Sequence, residues 1–413
     1  MLNYAIRLPL LLVVLHSGLP VYGASDLVPN GTVDGAVGTE LGSTHRSGRK
    51  PIDADRLTAF STFFTRTVFP FYTIGRVANA PCTSPAGLSG TCLVAGECKD
   101  NGGLPAGSCS SRTSQAVCCV YSQSCGGSTT FNSTYFTNPG YPGPYTGGGA
   151  CIFTITPTDG VCQLRVDFRV LSLNQPTGDG ACNTDRLSIA GSSPGLTQLC
   201  GENTGKHLYV NFAGSTPITI RVATDAGTTF NRLWNLELSL IACTSAYKAP
   251  SGCLQYYFDP TGEISSWNYG LGANPALTGV GTRGSRQIMS TNYGICIRTN
   301  AGQCSITYAL PNNDQYAFTV TGDASAIDPT MVGGGAVGQN GAACTTDFII
   351  IPNPVVPGVA GTFLDRFCGL GLYSVTTSTR PFVVYTVTDA NETPDVANRG
   401  FRLTYTQNPC AAV

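Results

Sequence analysis

The chain has 413 residues, a net charge of -1 and only 11% charged residues. That balance excludes a protein that tracks a nucleic-acid backbone, which needs clustered Lys and Arg. With 50 Gly, 26 Pro and 3 Met, the composition favours short strands and tight turns over long surface helices.

Residues 1–24 are expected to form a signal peptide. Arg7 precedes an apolar run, Leu8 to Leu15, and small residues follow at Val21-Tyr22-Gly23-Ala24, the order of a secretory leader and its exit. The run is shorter than the roughly 20 residues of a membrane span. No later stretch is long and apolar enough, so a secreted, extracellular chain without a membrane span is expected. Residues 25–81 read as a linker or pro-region. Ser25 to Lys50 is Gly/Thr/Ser-rich, the composition of disorder. Beyond it Phe60, Phe63, Phe64, Phe69, Phe71 and Tyr72 form an aromatic cluster suited to packing on a later domain or to binding a partner.

All 18 cysteines lie beyond residue 81. In an exported chain they read as disulfides. A zinc site would want CxxC or Cys/His spacing; no CxxC occurs, and there are 3 histidines. Residues 82–119 hold Cys82, Cys92, Cys98, Cys109, Cys118 and Cys119. So short a segment cannot bury enough area to fold without staples, and the spacing alone leaves many pairings open.

The other twelve cysteines form an internal repeat. The first set is Cys125, Cys151, Cys162, Cys182, Cys200 and Cys243; the second is Cys253, Cys296, Cys304, Cys344, Cys368 and Cys410. Their neighbours match in order. Cys182-Asn-Thr-Asp185 answers Cys344-Thr-Thr-Asp347, and Cys200-Gly201 answers Cys368-Gly369. Order, count and flanking residues agreeing together mark a duplication. Within it Leu164, Val166, Phe168 and Val170 alternate with Gln163, Arg165, Asp167 and Arg169, the pattern of a half-buried strand. Ile218, Ile220 and Val222 repeat it, as do Trp234, Leu236, Leu238 and Leu240, then Ile306, Tyr308 and Leu310, and Phe382, Val384 and Thr386. The predicted fold class is all-β: two tandem antiparallel β-sandwiches, residues 125–243 and 253–410, behind a small disulfide-rich segment, residues 82–119.

The first repeat resembles the CUB domain. Cys125-Gly126-Gly127, Asn138-Pro139-Gly140-Tyr141-Pro142, Cys151, the strand from Gln163, Cys182-x-x-Asp185-x-Leu187-x-Ile189 and Cys200-Gly201 carry the likeness. The second keeps Cys344-x-x-Asp347 and Phe367-Cys368-Gly369 but lacks the Pro-Gly-Tyr-Pro stretch and is longer between Asp323 and Ala343, a divergent copy. The segment ending in Cys118-Cys119 resembles the clip domain of arthropod protease cascades. The whole is similar to a group of secreted arthropod CUB-domain proteins. A jelly-roll type sandwich follows from that resemblance.

The resemblance implies Cys82–Cys118, Cys92–Cys109 and Cys98–Cys119 for the clip-like segment. It implies Cys125–Cys151 and Cys182–Cys200 for the first CUB-like module and, by repeat, Cys253–Cys296 and Cys344–Cys368 for the second. Cys162–Cys243 and Cys304–Cys410 are the partners left over, each tying an early strand to the last. It also implies that calcium could be held by Asp185 and Asp225 in the first module, and with less support by Asp347 and Asp389 in the second. Calcium wants six to eight oxygens, and the glutamate of the family pattern is missing; Asn174 and Asp323 stand nearest its place.

No nucleophile, base and acid set for a triad is present. His207, the one histidine of the folded region, reads as an edge or surface residue, and the Gly runs precede no phosphate-binding helix. No catalytic residue and no required cofactor are expected. Sequons at Asn30, Asn132 and Asn391 are expected to be glycosylated. The expected function is non-enzymatic extracellular recognition of a protein or carbohydrate partner through CUB loops. The alternatives are a structural component of a secreted matrix and a non-catalytic regulator of a clip-type protease cascade.

Overall fold

The computed structural model describes residues 79–109, 116–270 and 286–410, apart from 325, 329, 357–363, 392–394 and 396. The signal-peptide reading, the linker up to residue 78 and the sequon at Asn30 lie outside the described residues. The architecture is nearly all-β. The cysteine-rich segment forms β1 (Pro81–Thr83), β2 (Ser89–Val94), the short helix α1 (Ala95–Asp100), β3 (Leu104–Ser108) and β4 (Ala116–Gln123). Disulfides Cys82–Cys118, Cys92–Cys109 and Cys98–Cys119 join them. Among the described residues its hydrophobic cluster centres on just Leu93, Cys98, Cys119 and Tyr121, which is why covalent staples must hold it.

The first sandwich runs through β5 (Ser128–Thr129), β6 (Thr134–Thr137), β7 (Gly149–Ile155), β8 (Val161–Ser172), β9 (Arg186–Ala190), β10 (Ser192–Ser193), β11 (Leu196–Leu199), β12 (His207–Phe212), β13 (Ile218–Thr224) and β14 (Leu233–Ala242). One sheet has the order β1-β2-β4-β6-β14-β8-β12-β10, and β11-β9-β13-β7-β5 faces it. β4 lies parallel to β6, with Tyr121 opposite Thr134. The cysteine-rich segment therefore continues the sheet of the first sandwich.

The alternating residues do what period-2 patterning requires. Leu164, Val166, Phe168, Ile218, Ile220, Val222, Trp234, Leu236 and Leu238 are all fully buried. The pairing of β8 with β14 shifts register twice, near Cys162 and at Arg169, and the second shift changes the strand's phase. Asn235 pairs with Val170 but Leu236 with Phe168, so Arg169 is the extra residue of a β-bulge. The phase resets there: Leu171 enters the core, and Val170, expected inward, stays half-buried. Asn138, from the Asn-Pro-Gly-Tyr-Pro stretch, is buried and sews its loop to β14. It accepts from Trp234 N–H at 3.0 Å and donates to the Pro139 and Gly143 carbonyls.

The second sandwich runs through β15 (Cys253–Tyr257), β16 (Thr261–Ser265), β17 (Asn292–Ile297), β18 (Gln303–Ala309), β19 (Phe318–Thr319), β20 (Gly338–Asn340), β21 (Phe348–Ile350), β22 (Arg366–Gly369), β23 (Val375–Thr377), β24 (Phe382–Val387) and β25 (Gly400–Pro409). Its sheets are β15-β17-β24-β21-β22-β20 and β16-β25-β18-β23, with β19 also on β25. Six disulfides serve the two sandwiches: Cys125–Cys151, Cys162–Cys243, Cys182–Cys200, Cys253–Cys296, Cys304–Cys410 and Cys344–Cys368.

The two sandwiches are fused along a seam. One contiguous hydrophobic cluster holds Phe168 and Leu208 of the first and Leu254, Ile264 and Trp267 of the second. The outer face of β12 is covered by β15. His207 stacks edge-on with Tyr209 and Tyr257, and Tyr256 N–H donates to its Nε2 at 3.1 Å. Gln163, on the outer face of β8, pairs with Ala249: it donates to that carbonyl at 3.1 Å and accepts from that N–H at 2.8 Å. His207 is thus a buried seam residue, which corrects the expectation of an edge or surface position. A sequence shows which residues leave their own core, but not what later covers them.

Burial pushes the His207 imidazole down to about 4, and the nearby Arg165 guanidinium adds to this. The folded state therefore disfavours the protonated ring. His207 contributes stability that is complete above the unfolded value near 6.5 and is lost as pH falls through about 4. Unfolding free energy is expected to drop by roughly 3 kcal/mol from this residue across that window. Denaturant titrations at stepped pH check it: His207→Gln should flatten the profile between pH 6.5 and 4, and an unchanged slope would refute the assignment.

Candidate functional site

The loop end of the first sandwich gathers Asp185, Asp225 and Arg232. Asp185 follows Cys182, whose bridge to Cys200 pins the loop. Arg232 enters just before the buried Trp234. Both side chains of the Asp185–Arg232 pair are fully buried. Arg232 Nε donates to Asp185 Oδ2 at 2.8 Å and Nη2 to Oδ1 at 2.9 Å, the bidentate fork that guanidinium and carboxylate favour. The remaining N–H groups reach the carbonyls of Phe230 and Asp225 at 3.0 Å, of Thr228 at 3.3 Å, and of Thr146, together with Thr228 Oγ1. Asp185 also accepts from the backbone N–H of Asn174 at 2.8 Å and of Asp225 at 3.2 Å. The Asp225 carboxylate turns to Gly227 N–H at 3.0 Å, a turn-capping bond.

These residues do not fit a bound metal ion. Every oxygen that Asp185 could offer calcium is taken by a permanent cation or a backbone N–H. Of the two residues expected to hold calcium, Asp185 binds a guanidinium and Asp225 caps a turn. Sequence reasoning missed Arg232 and Gly147. The signal available was an arginine beside a core tryptophan in a chain poor in charge, and a run of three glycines, Gly147 to Gly149.

In the second sandwich Asp347 is fully buried. It accepts from Gln287 Nε2 at 2.8 Å and from Asp389 N–H at 2.7 Å. Asp389 accepts from Asn391 N–H at 2.7 Å. Asp395, unmarked in the sequence reading, accepts from Gly322 N–H at 2.6 Å. Burial, with Asp389 nearby, holds its carboxyl above the usual range despite the opposing Gly322 bond and Arg286 charge. Among the described residues, no three carboxylates come within ligating distance of one another; one group that does meet the distance is Cys82, Cys109 and Cys118, whose sulfurs are spent on disulfides.

A cleft of about 310 Å³ opens on the seam. Gln198 comes from the first sandwich; Trp267, Thr291, Asn292, Tyr293 and Tyr385 come from the second. No charged side chain lines it. Trp267 Nε1 is buried without a hydrogen-bond partner, and Tyr385 remains 39% exposed. An uncharged pocket with aromatic faces and a few amides and hydroxyls is the usual make-up of a small-ligand or side-chain receptor. Of the two described sequons, Asn132 is exposed and accepts from Leu240 N–H at 2.8 Å, and Asn391 is exposed beside Asp389.

The fold defines a tandem, disulfide-bonded β-sandwich protein. The chain is a CUB-domain protein carrying two such domains: residues 125–235 match the CUB domain and residues 250–408 the animal CUB domain. Neither is a catalytic family. Cubilin from Canis lupus familiaris is 32% identical over 155 residues, covering 35% of this chain, and cubilin from Sus scrofa is 31% identical over 155 residues. The chain spans about 4% of the length of these curated relatives. Solved structures with a similar fold include the MASP-1 CUB2 domain bound to Ca2+, at 24% identity and TM-score 0.24, covering 28% of this chain and 98% of that one. The CUB1-EGF-CUB2 domains of rat MASP-1 align at 14% identity and TM-score 0.23, covering 70% of this chain and 99% of that one. No helix among the described residues is long and apolar enough to cross a membrane.

Gly147 makes room for Arg232. A Cβ there would stand 2.6 Å from both Arg232 Nη1 and the Asp225 carbonyl, whereas at Gly148 the nearest atom is 3.4 Å away; both have φ +96°. Gly147→Ala should therefore lower stability by about 2 kcal/mol or more. Gly148→Ala carries the same backbone strain without the collision and should cost less. Thermal unfolding of the two variants decides it, and equal losses would refute the crowding of the arginine.

Proposed function

We propose that this chain is a secreted, non-catalytic recognition protein whose two CUB domains act as one platform and receive a partner in the cleft on their seam. The partner is an uncharged carbohydrate or protein segment. The charge-free cleft carries the reading. Its walls come from both domains, so its shape exists only while the seam is closed. Tyr385 supplies an exposed aromatic face of the kind that stacks on sugar rings or apolar side chains, over a floor that includes the buried Trp267 and Tyr293. Trp267 Nε1 supports the reading as a buried donor with no partner of its own, a group that a ligand oxygen or an ordered water would satisfy. Asn132 and Asn391 are proposed glycan carriers, as is Asn30.

The full chain should be screened on arrays of neutral and charged glycans and on peptide arrays. Selective retention of neutral glycans identifies the carbohydrate reading; selective retention of uncharged peptide segments identifies the protein reading. Tyr385→Ala, at an exposed position that folding tolerates, should weaken the bound class about tenfold or more, as loss of an aromatic contact does at a hot spot. Retention untouched by Tyr385→Ala and by Gln198→Ala would place binding elsewhere on the molecule.

A further inference from the structure

We propose that Arg232 is the resident cation of the first CUB domain, its guanidinium filling an oxygen cage at the loop end so that these loops are ordered without calcium. The cage is built wholly from oxygen: both carboxylate oxygens of Asp185, the carbonyls of Thr146, Asp225, Thr228 and Phe230, and the hydroxyl of Thr228. Carboxylate, carbonyl and hydroxyl oxygens in about this number are the set that calcium gathers. Here they surround a side chain that is itself fully buried.

Three features make this a built site. A guanidinium stays charged at every physiological pH, so Asp185 always has its counter-ion. The five N–H donors spread over the cage oxygens, as a group taken wholly out of water requires. Gly147 leaves the space in which the guanidinium lies. A diffusible ion is lost on dilution or chelation, whereas Arg232 is tethered to the start of β14 and is always present. The loops holding Thr146, Asp185, Asp225 and Thr228 converge on this one side chain. A partner that contacts this end meets a surface whose order does not track the calcium concentration.

The test uses the full chain. Equilibrium dialysis in millimolar calcium counts ions bound by the wild type and by Arg232→Gln, and thermal unfolding of both is followed in calcium and in chelator. Removing one partner of a buried pair leaves the other uncompensated. In chelator Arg232→Gln should thus melt roughly 5–10 °C below the wild type. It should bind one more ion per chain than the wild type, and calcium should raise its midpoint by more than it raises that of the wild type. Equal ion counts, or a calcium response no larger than the wild type's, would overturn the proposal. If Arg232→Gln fails to fold, Arg232→Lys keeps a cation in the cage. It should fold with a smaller loss and gain no ion, and an extra ion in that variant would overturn the proposal equally.

Discussion

The structure depends on covering one sheet face. In an isolated sandwich, the outward residues of β8 and β12 would stand in water. Here β15 and residue 249 lie across them, so that His207, Tyr209 and Gln163 are buried. A polar group removed from water must find a partner. Each does: His207 with the Tyr256 amide, Tyr209 Oη with Arg165 at 2.7 Å, and Gln163 with both backbone groups of Ala249. Farther along the seam the fit is again polar and specific. Asn268 N–H donates to Asn203 at 2.7 Å, and Asn268 accepts from Glu202 N–H at 2.8 Å. Gly201, with φ +76°, lets Asn268 approach, because a Cβ there would fall 1.9 Å from its Oδ1. Two domains joined by such bonds and by a shared apolar cluster have one relative orientation. The cleft inherits its shape from that orientation.

Scarcity of charge explains how the charges present are used. With 11% charged residues, the molecule places several of them inside. Arg232 with Asp185 is one case, and Arg399 lies 3.6 Å from Asp314 with both nearly buried. Such pairs add little net stability over apolar packing, since desolvation offsets most of the attraction. What they do is penalise every arrangement in which one partner is missing. At the end of the first CUB domain, that converts three loops into one defined surface.

Much of the fold was legible in the sequence. The duplicated cysteine order and the period-2 strands around Leu164, Ile218 and Trp234 carried the two sandwiches, because alternation reports directly on which face is buried. The cysteine-rich segment looked separate because its cysteines form their own cluster; its parallel pairing to β6 has no local signal. His207 and Gln163 were misjudged in exposure because only the second domain buries them. Val170 was misjudged because a bulge at Arg169 leaves no mark in the pattern. Asp185 was found, but its arginine partner was not. Its partner lies 47 residues away, and residues that close a cage from different loops carry no spacing to read.

The central claim is that the two CUB domains are one cooperative body. Differential scanning calorimetry of the disulfide-intact chain tests it most directly. A fused seam predicts a single transition for the CUB region, with calorimetric and van't Hoff enthalpies in agreement, and a coupled fall in midpoint when Asn268→Ala opens the seam. Two resolved transitions in the wild type, one for each domain, would contradict the account.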